Sequence, residues 1–98
     1  MASTSVELLN GVSATGASSW QNVSNSAGIL VTHSASSSPD LTVAIEGKDA
    51  DGNAILLDSR AISAAGDTVV EIPVGFIELR ANVTSYTAGT LSSYLNAA

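Results

Sequence analysis

The chain has 98 residues and no cysteine, so it has the size of one domain whose core can receive no support from disulfides or thiolate metal sites. Charged residues make up 12% of the chain, where about 25% is usual, and nine acidic residues against three basic ones give a net charge of −6. Nucleic acid and anionic membranes are bound by clusters of Lys and Arg, so this composition argues against both as partners.

The low charge has two explanations, which the sequence alone leaves open. Ser and Thr supply about a quarter of the residues, whereas the exterior of a free-standing domain normally carries more charge. Either much of the surface contacts other protein subunits, which we favour, or hydroxyl groups solvate a monomer. The first residues lack a basic segment followed by an apolar one, so we expect synthesis in a cytoplasm without secretory export.

Short stretches of alternating apolar residues, separated by Gly, Asn, Asp, Ser and Pro, predict an antiparallel all-β fold. The clearest stretch is 41–47, where Leu41, Val43 and Ile45 alternate with polar or small residues and should face a core. Similar alternation predicts strands at eight places, namely residues 4–9, 18–23, 27–33, 41–47, 55–59, 67–74, 76–84 and 90–96.

The segments between these strands carry turn-forming residues. We predict a loop at the serine-rich residues 34–40, a hairpin turn at 49–53, a loop at 61–66 and a turn at 86–89. About eight short strands without an internal linker predict one domain over residues 1–98, a β-sandwich or jelly roll. Since Lys48 is the only lysine, the sheet edges are expected to be covered either by neighbouring subunits or by loops of the chain itself.

No catalytic arrangement is evident. His33 is the only histidine and no Gly-x-Ser-x-Gly motif accompanies it, so we interpret it as a polar residue at the end of a strand. Glu46, Glu71 and Glu78 occupy outward positions of predicted strands, where solvent contact explains them better than a pair of catalytic carboxylates. We therefore predict no catalytic residue and no enzyme activity.

The stretch 49–53, Asp-Ala-Asp-Gly-Asn, offers alternating oxygen ligands of the kind that Ca²⁺ binds. An EF-hand requires Gly at its sixth position and Glu at its twelfth, but counting from Asp49 these positions hold Ala54 and Arg60. The same residues favour a tight turn. We therefore predict a plain turn, with no metal site and no cofactor.

Three of the four aromatic residues, namely Trp20, Tyr86 and Tyr94, are considered for packing or for contacts. Trp20 is interpreted as core or rim packing. Tyr94 has the opposite parity to Leu91 and Leu95 in its predicted strand, so it should point outward. Tyr86 and Tyr94 are the candidates for contacts with a partner.

Three segments resemble a known group of proteins: LLNGVSATGASSW at residues 8–20, VAIEGKDADGN at 43–53 and FIELRANVTSYTAGTL at 76–91. In their order and in their loose motifs (Gly-x-x-x-Trp, an Asp-Gly turn, Arg-x-x-Val-Thr), they look like the small β-sandwich virion proteins of tailed bacteriophages. Such proteins decorate or cement the capsid exterior, or form head fibres and tail parts. The resemblance covers nearly the whole chain and implies a fold, but no catalytic or metal residues.

What the resemblance implies is a capsid decoration or cement protein that lies on the virion surface and stabilises the head. Its partner would be the major capsid protein, and it would form a homo-oligomer, with a trimer favoured. The alternatives are a carbohydrate- or receptor-binding β-sandwich module, using Tyr86, Tyr94 or residues 34–40, and a tail component.

Overall fold

The computed structural model describes residues 4–98, which form antiparallel strands of a single sheet. Seven strands follow one another, namely β1 (Thr4–Val12), β2 (Gly16–Ala17), β3 (Gln21–Asn22), β4 (Ile29–Lys48), β5 (Ala54–Ile62), β6 (Gly66–Ile72) and β7 (Glu78–Ala97). Among these residues there is no helix long and apolar enough to cross a bilayer. The predicted all-β fold is confirmed.

The two 20-residue strands, β4 and β7, determine the shape of the sheet. They pair with each other over most of their length and bend near the middle, so that each contributes to two packed layers. The β1 layer contains β1, the end of β7, the start of β4 and β6. The β5 layer contains β2 and β3, the start of β7, the end of β4 and β5.

When β2 and β3 are taken as one interrupted edge strand, each layer has four strand segments. The chain passes from the β1 layer to the β5 layer and back repeatedly, and only the hairpin between β4 and β5 stays within one layer. This order of segments is that of a jelly roll, one of the two architectures that the sequence predicts. The overall dimensions, 37 × 27 × 17 Å, suit two layers packed face to face.

The predicted loop at 34–40 and the predicted turn at 86–89 are wrong, because both lie inside long strands. Between the pairs Ser36–Thr90 and Asp40–Ala88, β4 has three residues where β7 has only Gly89. Ser37, Ser38 and Gly89 adopt positive φ there, which bends both strands together. The two segments lack apolar alternation because they turn the corner between layers rather than covering the core.

The core lies between the layers and consists of inward residues of β1, β4, β5, β6 and β7, together with Val23, which directly follows β3. Leu41, Val43 and Ile45 are buried as predicted. Val74, in contrast, is exposed although it lies in the predicted strand 67–74, because β6 ends at Ile72 before Pro73. One cluster joins both layers: Leu8, Leu9, Val23, Ile29, Val31, Ala35, Leu41, Val43, Ile45, Ile62, Val70, Ile72, Leu79, Ala81, Val83, Leu91, Leu95 and Ala97.

The edge strands have features that prevent them from pairing with strands of other chains. In β5, Asp58 and Arg60 lie opposite Ile45 and Val43 and therefore share their inward face, where they form an ion pair of 3.1 Å. Inward charges oppose the addition of a foreign strand. Strand β1 is interrupted by two register shifts, and β2 and β3 have two residues each. Coverage by neighbouring subunits, which the shortage of lysine suggested, is therefore not required at these edges.

Candidate functional site

The outer face of the β1 layer exposes large apolar side chains. Thr32 lies in its centre with Val69 of β6 on one side and Tyr94 of β7 on the other. Leu30 is two positions earlier on the same face, diagonal to both. The exposed fractions are 41% for Leu30, 59% for Val69 and 37% for Tyr94. These three residues around Thr32 are called the apolar patch below.

Carboxylates surround the apolar patch. Glu71 lies beside Leu30, Glu7 lies beside Tyr94, and Asp67 is two positions from Val69 on the same strand. All three belong to the β1 layer and all are exposed. The lysine and both arginines of the chain lie in the β5 layer, so no basic side chain of the chain's strands balances this acidic rim.

A groove of about 790 Å³ opens at the end of the β1 layer, where β4 begins and β6 and β7 end. Leu30, Pro73 and Val74 supply apolar walls, and the side of the groove also includes Glu71 and Asn96. Because Leu30 belongs to both features, the groove continues into the apolar patch. Ligand-binding clefts in proteins have a similar volume and a similar mixture of apolar walls and few polar groups.

The outer face of the β5 layer has a different construction, because Trp20 covers it. The Trp20 ring lies 4.6 Å from the Lys48 ammonium and 4.5 Å from the Arg80 guanidinium, measured to the ring centroid. Cations at such distances are attracted by the ring electrons. Ser18 fixes this segment to β7, since its N–H donates to the Ala81 carbonyl and its hydroxyl accepts from the Ala81 N–H. Trp20 therefore packs on the rim and not in the core.

The cations under Trp20 are also paired with carboxylates. Arg80 Nε is 2.7 Å from Glu46 Oε1, and Lys48 Nζ is 3.8 Å from Glu78 Oε1. Glu46 faces Arg80 and Lys48 faces Glu78 across β4 and β7, so the four charges alternate in sign over a square of the sheet. The charges of this face are consequently satisfied within the chain.

His33 was predicted at the end of a strand, but it lies well within β4 and is 1% exposed. Its Nδ1 lies 2.6 Å from the Ser93 hydroxyl, while its Nε2 has no hydrogen-bond partner among the described residues. Burial lowers the pKa of His33 to about 4. The negative charge of Asp58 opposes this shift, and the positive charge of Arg60 adds to it. An imidazole beside a serine hydroxyl can activate a nucleophile, but no substrate reaches a pair buried in the core.

The hairpin between β4 and β5 contains the turn that the sequence predicts. The Asp49 carboxylate accepts hydrogen bonds from the N–H groups of Asp51 (3.0 Å) and Asn53 (2.9 Å). These hydrogen bonds, above all that from Asn53, lower the pKa of Asp49. One of its oxygens is thus occupied by the turn's own backbone, which is the usual role of Asp in such turns.

The two predicted contact residues lie in different surroundings. Tyr94 points outward, as its parity in the strand predicts, and belongs to the apolar patch. Tyr86 is half-buried against the core near the corner, where its hydroxyl donates to the Gly89 carbonyl at 2.9 Å. The structure therefore gives Tyr94 the surface position and Tyr86 a stabilising position. The acidic rim and the groove were missed by the sequence analysis, since β6 and β7 become neighbours of β4 only in the fold.

No protein-family model and no curated protein sequence matches the chain. Solved structures do match its fold. The SPBc2 prophage-derived protein YomS superposes with a TM-score of 0.76 over 98% of this chain and 92% of its own, at 15% sequence identity. The PBSX exported protein XepA matches with a TM-score of 0.64 and 23% identity over 99% of this chain, which spans 38% of XepA. A mutant of the family 29 carbohydrate-binding module CBM29-2 has a TM-score of 0.51 at 6% identity over 98% of this chain and 92% of its own.

Proposed function

We propose that the chain is a structural protein of a tailed-bacteriophage particle, and that it binds the outside of the head and stabilises the shell. The observation that carries this proposal is the fold match with the prophage-derived YomS, which extends over nearly the full length of both chains. The exposed apolar patch also supports this proposal, because an exposed apolar surface is typical of a contact with another protein.

In this proposal the protein acts by mass action. A protein that binds assembled shells but not their separated subunits stabilises the assembled state. The partner is the major capsid protein, and the chain itself forms a homo-oligomer, with a trimer favoured. Many weak contacts suffice, because every bound copy contributes to the stability of the same particle.

The test compares particles with and without the protein. Particles made without it should have normal geometry but open at a lower temperature, and adding the purified protein should restore the original opening temperature. The proposal is contradicted if depleted particles are equally stable and the purified protein does not bind them. Analytical ultracentrifugation of the protein alone separately tests the trimer, with the species expected well above 9.8 kDa.

Glycan binding is a second candidate, favoured by one observation. Tyr94 exposes an aromatic ring diagonal to Leu30 and two residues from Asn96, and aromatic rings beside polar groups stack on sugars in binding modules. A family 29 carbohydrate-binding module shares the fold. In that case depleted particles would keep their opening temperature but adsorb poorly to cells. A tail component would fail to bind purified heads.

A further inference from the structure

We infer that the apolar patch and the groove together form the docking surface for the shell, and that the surface of the partner protein has an apolar centre bordered by basic residues. This inference rests on the proposed function and names the face that carries it. It concerns Leu30, Val69 and Tyr94 in the patch and the acidic rim around them.

The exposure of the apolar patch indicates that the centre of the partner's contact surface is apolar. Leu30 and Val69 are more than two-fifths exposed on the flat outer side of a sheet, next to the ring of Tyr94. A few residues usually provide most of the binding energy of an interface, and tyrosine is one of the residue types enriched among them. The groove beside Leu30 has room for a large side chain of the partner.

The negative charge of the acidic rim indicates that the partner's contact surface has basic residues at its border. Glu7, Asp67 and Glu71 border the patch, and the chain has no lysine or arginine in this layer. A partner with Lys or Arg at matching positions gains attraction and faster association, whereas an acidic partner is repelled. Since Glu71 also lines the groove, a basic side chain can contact it while the attached alkyl chain covers Leu30.

A second copy of the chain is a poor occupant of this surface. Two such faces in contact would place six carboxylates, three from each copy, around one patch without a cation. Nor can the β5 layer of another copy supply the cations, because Lys48, Arg60 and Arg80 are each already paired with a carboxylate. The charges therefore favour binding of a different protein to this surface over binding of a second copy of the chain.

The experiment measures binding of the purified chain to phage heads that were produced without it, from the phage that encodes the chain. Leu30→Glu should weaken binding about 100-fold or more and Tyr94→Ala about 30-fold, the loss usual for a central interface residue. The matched control is Leu56→Glu, because Leu56 is 62% exposed on the β5 layer. This variant should bind within about threefold of wild type. Unchanged melting temperatures show that all variants are folded.

The role of the acidic rim is tested by changing the charge of Glu71 and by varying the salt concentration in the binding measurement. Glu71→Lys should weaken binding about tenfold, and raising the salt concentration should weaken binding of wild type more than binding of Glu71→Gln. If wild type binds heads but the patch variants bind equally well, the docking surface is wrong and the proposed function stands. If wild type does not bind heads, the proposed function itself fails. If Tyr94→Ala instead dissociates an oligomer of the chain, a second copy occupies the surface and the inference is overturned.

Discussion

The two outer faces of the sandwich are formed by the same two long strands, yet they use their aromatic residues in different ways. On the β5 layer, Trp20 lies against Lys48 and Arg80, and each of these cations also pairs with a carboxylate. On the β1 layer, Tyr94 lies among exposed apolar residues inside an acidic rim. The first face satisfies its charges within the chain, while the second leaves both apolar area and charge available.

This difference implies that one face contributes mainly to the stability of the fold and the other mainly to binding of a partner. Residues of the β5 face should contribute to the free energy of unfolding, and residues of the β1 face should contribute mainly to affinity for a partner. The corner of β4 and β7 and the shared core hold the two layers together.

Gly89→Ala should have the largest effect, because Gly89 lies at the corner where both layers meet. A Cβ atom there would lie 2.5 Å from the Cα of Pro39, and the φ angle of 92° is strained for any other residue. We expect a loss of about 3 kcal/mol or more in the free energy of unfolding, measured by urea denaturation. Gly52→Ala is the control, since it has a similar φ of 86° but open space around it. It should lose only about 1 kcal/mol, and equal losses would show that the corner contact with Pro39 is unimportant.

The shared core should be sensitive to acid through His33. Its pKa is lowered from 6.5 to about 4 in the folded protein, so the unfolded chain binds a proton more readily. Stability from this group is fully present above pH 6.5 and is lost as the pH falls from 6.5 to about 4, by about 3 kcal/mol in total.

The pH effect is isolated with His33→Gln, whose amide can still contact the Ser93 hydroxyl but does not titrate in this range. Urea denaturation at pH 7 and pH 4 should show a larger loss for wild type than for the variant. Protonation of the carboxylates is common to both proteins and cancels in the difference. Parallel losses would mean that His33 is protonated in the core or that the core opens to water.

The direct comparison of the faces pairs Trp20→Ala with Tyr94→Ala. Removing Trp20 deletes a packed ring and two cation–π contacts, which should cost about 2 kcal/mol and roughly 10 °C in melting temperature. Removing Tyr94 should change stability by less than about 0.5 kcal/mol, because it is a surface substitution away from such contacts. Thermal denaturation monitored by circular dichroism measures both, and equal losses would contradict the distinction between the faces.

Much of this arrangement follows from alternation in the sequence, and the failures have a physical cause. Leu41, Val43 and Ile45 were placed correctly because alternating residues of a strand face opposite sides. The same parity, continued from Ile29 and Val31, places His33 inside, but the serine-rich stretch after it is typical of a loop and predicts the end of the strand at His33. Those serines turn a corner, and no local pattern distinguishes a bent strand from a loop.

The candidate surface was predictable only in part. The outward position of Tyr94 follows from its parity with Leu91 and Leu95. Its neighbours do not follow from sequence, because Val69 and Glu7 reach it through pairings between strands distant in the chain. The inward positions of Asp58 and Arg60 were likewise unpredicted, since a bulge in β5 shifts the register beside Ile45.

The smallest expected effect concerns cations. Acidic side chains are grouped in the rim on the β1 layer and in the turn at the end of the β5 layer, and Ca²⁺ bound at either place would change the charge contrast between the layers. In the turn, Asp49 Oδ1 already accepts two backbone hydrogen bonds, and on the rim Glu7 and Glu71 are on opposite sides of the patch. Calorimetric titration with Ca²⁺ should therefore show no binding heat, and the melting temperature should not rise. Asp49→Ala and Asp51→Ala should leave this result unchanged. A micromolar affinity that disappears in Asp51→Ala would instead identify the turn as a calcium site, and the charge contrast between the layers would then depend on the ion.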